Sequence, residues 1–333
     1  MKSTRTVRLL PILLGLAILS LPSAGENKTW IDPDTARTES PDFKVQGEYA
    51  ADPAQRLPGI QVVALGNGKF NAALLDDGLP GRGWTPGKQR TALTGSRTGD
   101  SVKIASTDGT VSATIRNGKL KLTRPGKKDL TLPRIERHSP TLGARPPNGA
   151  VVLFDGSSAE PWKNGRIQNG LLAAANSMSK TEFANYRIHL EFRTPFKPHA
   201  RGQGRGNSGV YYGGRWETQI LDSFGIEGKQ NECGGIYSIA SPRLNMCLPP
   251  LTWQTYDVDF TAATFDPDGK RTAWPRITVK LNGVLIHENV ELAKDFTTAA
   301  PLTGALRKPE GPIFLQNHGN PVFFRNIWVL PRN

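Results

Sequence analysis

Residues 186–193 alternate without a break. Tyr186, Ile188, Leu190 and Phe192 fall on one face, and Arg187, His189, Glu191 and Arg193 on the other. A period of two is the mark of a half-buried strand. The same period organises 207–222. Val210, Tyr211 and Tyr212 are strand formers closed by Gly213-Gly214, and Arg215 opens a second run in which Glu217 and Gln219 point opposite to Trp216 and Ile220. Two short runs joined by Gly-Gly predict a β-hairpin with one apolar face and one face carrying a carboxylate and an amide. Asp222 has the wrong parity for that polar face and joins it only through a bulge, a device common beside active sites.

Strand-length runs separated by turn residues fill the rest of the chain. Segments 60–65, 70–75, 102–106, 111–116, 119–123 and 130–135 predict a small antiparallel module over 59–138, with Asn117-Gly118 as its clearest hairpin turn. Residues 26–58, polar and rich in proline, read as an extended lead-in, and 139–149 as a proline-rich linker. From 150 onward the strands predicted are 151–156, 171–175, 186–193, the central hairpin, 256–260, 277–281, 284–287, 313–317 and 322–330. No amphipathic helix longer than two turns emerges, and many short strands at regular spacing indicate an all-β sandwich.

Composition changes the picture in three places. The formal charge is +13, or +10 without Lys2, Arg5 and Arg8, and it divides into +6 on 26–149 and +4 on 150–333. An excess so evenly spread, with no basic cluster interleaved with aromatics, argues against nucleic-acid binding. Residues 1–25 have a basic start, an apolar run from Leu9 to Leu21 and then Pro22-Ser-Ala-Gly25. That is the three-part pattern of a secretory signal peptide, with an uncleaved anchor as the alternative. Cleavage after Ala24 or Gly25 leaves no cysteine for a lipid anchor, so the expected product is periplasmic or extracellular, without a stable membrane anchor. In an exported chain, Cys233 and Cys247 are expected to form a disulfide, stabilising by roughly 3 kcal/mol.

Six motifs recur in a fixed order: Leu153-Phe-Asp-Gly156, Asn207-Ser-Gly209, Glu217-Thr-Gln-Ile-Leu-Asp222, Trp253-Gln-Thr-Tyr256, Val279-Lys-Leu-Asn-Gly283, and Gly311-Pro-Ile-Phe-Leu-Gln-Asn-His-Gly319 leading to Phe324-Arg-Asn-Ile327. In this order they resemble the 3-keto-disaccharide hydrolase domain family over 150–333. The resemblance implies a concanavalin-like jelly-roll β-sandwich whose concave sheet holds sugar, and action on glycosides already oxidised at C3. Laminarinase-type glycosidases of the same fold carry Glu-x-Asp-x-x-Glu, and here that spacing reads Glu217-x-Gln219-x-x-Asp222. A retaining hydrolase needs two carboxyls about 5 Å apart, and the glutamine and the shorter terminal acid speak against that route.

A 3-keto sugar needs less. Its carbonyl acidifies the C2 hydrogen, so a base removes that proton, the aglycone leaves C1, and water adds back. The scheme asks for one base, one acid and a donor to the enolate oxygen. Glu217 or Asp222 is the candidate base, and His318 the acid or the enolate donor. Asn207, Gln219, Tyr211, Arg215, Gln316 and Arg325 are candidate sugar contacts. Asp222, Asn317 and His318 also offer oxygen and nitrogen ligands for a possible Ca²⁺, although no dense acidic loop is present. A lectin-like carbohydrate-binding module and a conventional glycoside hydrolase are the alternative functions on this fold.

Overall fold

Two β modules pack side by side in the computed structural model, which describes residues 27–332. The signal segment expected at 1–25 lies outside the described residues. Among those described, no helix is long and apolar enough to cross a membrane.

The first module is a closed antiparallel barrel of eight strands. Gly47–Tyr49 closes it by pairing with Gly59–Gly66 on one side and with Leu130–Ile135 on the other. Closure leaves no edge strand open to pairing, and eight strands give an interior that side chains alone can fill. Ile60, Val62, Ala64, Phe70, Val102, Ile115 and Leu120 fill it. Period-two alternation puts Val63 on the outside, where it joins the core of the second module.

Several elements differ from the sequence reading, the unforeseen strand Ser177–Phe183 of the second module among them. The strand Arg90–Thr98 pairs with Lys69–Leu75 over seven positions, but its run of threonine, serine and arginine around Leu93 hides the alternation. The lead-in is not extended: it forms the helices Pro33–Glu39 and Pro41–Val45 and then enters the barrel. Asp32 and Ser40 cap these helices by accepting from Thr35 N and Phe43 N, and a proline occupies the first turn of each. Phe43 and Trp30 then pack on Phe196 of the second module, with ring centroids 5.1 and 5.4 Å apart.

The second module is the all-β jelly-roll sandwich. A five-stranded sheet runs in the order Trp162–Lys163, Ser177–Phe183, Gly311–Leu315, Ser208–Tyr212 and Trp216–Ile220. It packs on an eight-stranded sheet whose centre is Phe323–Pro331, Tyr186–Arg193, Gln254–Thr261 and Arg276–Leu281. Ile188, Leu190, Phe192, Val258 and Phe260 from the larger sheet meet Val210, Tyr212, Trp216, Ile220 and Leu315 from the smaller one.

The segment after the barrel is not a free linker. It lies along the outer face of the larger sheet, where Thr141 Oγ1 donates to Asp257 Oδ2 at 2.7 Å and Gly143 N to Glu191 Oε1 at 2.6 Å. Buried Arg205 ties the modules together by donating to Asp222 Oδ2 at 2.6 Å and to Ala64 O of the barrel at 3.1 Å. The disulfide expected from the cysteine spacing does not form: Cys233 and Cys247 are free, buried thiols. The two thiols nevertheless lie against each other in hydrogen-bond contact, and Cys247 Sγ also meets Leu221 O and Cys233 Sγ the Tyr256 hydroxyl, each at 3.6 Å.

Candidate functional site

The smaller sheet turns Trp216, Thr218 and Ile220 into the core and Glu217 and Gln219 outward, the parity expected from the alternation. Register sets Tyr211 opposite Glu217 and Gly209 opposite Gln219. Gln316 continues the neighbouring strand and donates its backbone N–H to Gly209 O at 2.9 Å. Tyr211, Glu217, Gln219 and Gln316 thus share one polar face, with Asn207 at its end. Segments 229–237 and 295–302 fold over it, so that Glu217 is only 3% exposed.

Among the described residues no cation lies beside Glu217. Its one side-chain partner is the Tyr211 hydroxyl, 2.8 Å from Oε2. Burial pushes the carboxyl up to about 8, and the bond from Tyr211 only partly opposes this. The Tyr211 oxygen lies 3.0 Å from Thr298 O, which can only accept, and it receives Gln316 Nε2–H at 3.0 Å. The one Tyr211 proton serves two acceptors: it goes to Glu217 when that carboxyl is ionised, and to Thr298 O when Glu217 is protonated and donates back to the phenol oxygen. Burial and the Glu217 carboxylate both push the Tyr211 phenol up, so it remains a neutral donor.

The amides form a second group. Gln203 Oε1 accepts from Asn207 Nδ2 at 3.0 Å and from Gln219 Nε2 at 2.9 Å, and Gln203 Nε2 donates to Asn231 O at 2.7 Å. This leaves Asn207 Oδ1, Gln219 Oε1 and Gln316 Oε1 buried without partners. Three orphaned acceptors on one face are costly unless a ligand supplies donors. Sugar hydroxyls are such donors.

Asp222, Arg215 and Arg325 fall elsewhere. Asp222 lies beyond the strand end, its carboxylate held by Arg205 and not turned toward Glu217. It therefore does not join Asn317 and His318 in a cation site, and among the described residues no group of three or more His, Cys, Asp or Glu could hold a metal. His318 is exposed on the turn after Gln316. Arg215 pins the covering loop through Asp295 O and Gly304 O at 3.2 and 2.9 Å. Arg325 is on the other sheet, paired with Glu191 at 2.6 Å and stacked 4.1 Å over Trp253.

Two residues that sequence reasoning passed over complete the site. Gln203 sits in the short turn Gly202–Gly204, and a lone amide among glycines and arginines was its only signal. At Gly209 a Cβ would lie 2.1 Å from Glu217 Oε1, so the carboxyl occupies the space a side chain would take. The Asn207-Ser-Gly209 motif is explained by that close approach. A cavity of about 810 Å³ is remote from this chemistry: it lies between the amino-terminal helices, the barrel and the 249–253 loop, and no residue of the polar face lines it.

The model of the 3-keto-alpha-glucoside-1,2-lyase-like domain matches residues 149–330. A candidate glycosyl hydrolase of known structure from Parabacteroides distasonis ATCC 8503 is 30% identical, with a TM-score of 0.51 over 56% of this chain and 84% of its own. A second from the same organism is 17% identical, at a TM-score of 0.41 over 56% and 95%. The carbohydrate-binding module CBM66 from Bacillus subtilis is 13% identical, at 0.28 over 54% and 93%. No curated protein matches the chain. The family expected from the ordered motifs is the one found: over residues 149–330 this chain belongs to the 3-keto-alpha-glucoside-1,2-lyase-like domain family, and its role is carbohydrate-active.

Proposed function

We propose that this protein cleaves the glycosidic bond of 3-keto-glycosides by elimination and hydration, with Glu217 as the acid. The observation that carries the reading is an isolated buried carboxyl, uncompensated by any cation, set among amide oxygens that lack donors. A carboxylic acid held neutral near pH 7 is equipped to give a proton. In the first step a base takes the C2 proton and the electrons pass into an enolate at the C3 oxygen. The enolate collapses, the C1–O bond breaks, and the departing oxygen takes the proton of Glu217. Water then adds at C1 of the resulting enone and a proton returns to C2, giving the free 3-keto sugar and the alcohol.

His318, exposed at the end of the Gln316 strand, is the proposed base. Asp222 is passed over for that role because Arg205 holds it away from the face. Asn207, Gln219 and Gln316 accept from sugar hydroxyls. The basic start and apolar run of the first 25 residues support export.

The test is product analysis of the full chain with a 3-keto-glucoside and with its unoxidised parent, across pH. Aglycone release from the keto form alone, falling as pH rises through about 8, is expected. A rate that instead rises through that range would make Glu217 the base. Release from the parent as well would indicate conventional hydrolysis, and saturable binding without release would indicate a carbohydrate-binding module.

A further inference from the structure

Strand register gathers on one face of the barrel what the chain scatters. The strands Ser101–Ala105, Ser112–Arg116, Lys119–Thr123 and Leu130–Ile135 are neighbours in that order. Alternation turns Val102, Ile104, Ile115, Leu120 and Leu132 into the barrel and the residues between them outward. On the outer face Lys103 and Lys121 flank Thr114, and Arg116 stands directly opposite Lys119. All four cations are exposed. The remaining outward positions over 101–133 are Ser101, Ser112, Thr114, Thr123 and Thr131, with Ala105 and Pro133. None of these outward residues is acidic or aromatic.

The nearby acids lie in turns. Asp129, at one corner of the face, pairs with Lys121 at 2.9 Å. Asp108 is engaged by Ser106 and Thr110 of its own turn, and Asp100 precedes Ser101. Among the described residues, Lys103, Arg116 and Lys119 form no ion pair. Like charges directly opposite each other destabilise an antiparallel pair. Arg116 and Lys119 therefore stand together at a cost that an anion lying between them removes.

We propose that this face of the barrel is a docking surface for an anionic polysaccharide, a polymer that carries carboxylates along its length. One exposed ion pair contributes little, so a small anion gains little here, whereas a polymer engages several cations at once. The hydroxyls set between the cations donate to and accept from sugar hydroxyls and carboxylates. No aromatic ring on this face offers the platform on which nucleic-acid bases stack. The barrel is closed, so it presents no strand edge to a peptide. The adjoining module is carbohydrate-active, and a polymer held on the barrel raises the concentration of sugar beside it. The barrel, in which no catalytic residue is apparent, thereby acquires a role that does not depend on the elimination chemistry proposed above.

The experiment measures binding of polygalacturonate to the full chain by calorimetry, with neutral dextran and duplex DNA alongside. Affinity for polygalacturonate should fall about tenfold or more between roughly 50 and 200 mM salt, because exposed charges are screened. Dextran should not bind, and DNA should bind more weakly than polygalacturonate at the same salt. One variant removes the face: Lys103→Ser, Arg116→Ser, Lys119→Ser and Lys121→Ser together should weaken polygalacturonate binding about tenfold or more. A matched variant removes four exposed cations from the sandwich, Lys163→Ser, Arg166→Ser, Lys270→Ser and Arg307→Ser, and should bind like the wild type. Equal loss in the two variants would mean diffuse attraction by net charge and would overturn the inference. So would a wild type that does not bind, or one that binds dextran or DNA as tightly. Urea unfolding checks both folds. If the face variant folds poorly, Arg116→Ser with Lys119→Ser, set against Lys163→Ser with Arg166→Ser, decides the same question.

Discussion

Glu217 and Glu191 are the same residue type on strands of one sandwich, 3% and 1% exposed, yet their carboxyls are driven in opposite directions. Burial raises both. At Glu217 only Tyr211 answers it, and the carboxyl rises to about 8. At Glu191, the His189 ring 3.7 Å away and hydrogen bonds from Asn326, Gly143 N and Arg325 outweigh burial and hold the carboxyl at about 2. Burial alone therefore does not set the protonation of a carboxyl; the number of donors around it does. The outer face gives its acid every partner and so builds a clamp that fastens the 139–146 segment. The polar face withholds partners and keeps a proton available.

The largest effect expected is on turnover. Glu217→Gln should lower it about a thousandfold, the scale of general acid catalysis, and should remove a pH dependence of stability. With its folded pKa raised from 4.5 to about 8, Glu217 contributes stability that is full below 4.5 and lost as pH rises through 8. Denaturant titrations from pH 4 to 9 should show that alkaline loss in the wild type and not in the variant.

Glu191→Gln should act on the fold. Breaking a buried charged network costs about 3 kcal/mol, read from urea unfolding at pH 7, with turnover at saturating substrate little changed. Its pH signature is reversed. The wild-type contribution is present above 4.5 and lost as pH falls through about 2, and that acid limb should flatten in the variant. An acid limb identical to wild type would remove Glu191 from the comparison.

Gly209→Ala sharpens it. The added methyl must displace the Glu217 carboxyl, which lies 2.1 Å from the Cβ position, and misplacement on that scale costs about a hundredfold in rate. Urea unfolding checks that the fold survives. The smallest effect belongs to Tyr211→Phe. Removing the one group that stabilises the Glu217 carboxylate should raise its pKa further and shift the alkaline limb of the rate profile upward. A downward shift would mean that Tyr211 does not donate to Glu217.

Local pattern made much of this legible. Alternation over 186–193 and 216–220 placed each residue on its face, because side chains of a strand alternate whatever it packs against. The helices at Pro33–Glu39 and Pro41–Val45 were also signalled, by a capping residue followed by proline in Asp32-Pro33 and Ser40-Pro41, although the polar composition concealed them. Arg90–Thr98 carried almost no signal, since its place in the barrel depends on neighbours rather than on its own hydrophobicity. Arg325, close in sequence to His318, lands on the opposite sheet because the chain crosses between layers after residue 320.

Local alternation and ordered motifs were enough for most of the strands (though not for Arg90–Thr98 or Ser177–Phe183), for the face on which Glu217 and Gln219 lie, and for the family. Tertiary structure alone decided which carboxylate stands unpartnered. Asp222, five residues from Glu217, is taken by Arg205, and Glu191 is taken by groups as distant as Gly143 and Asn326. It also closed the barrel and set Val63 against the 225 loop. The physical reason is one of range. Backbone alternation is fixed within a few residues, whereas the protonation of a buried acid is a balance between desolvation and donors that the fold gathers from anywhere in the chain.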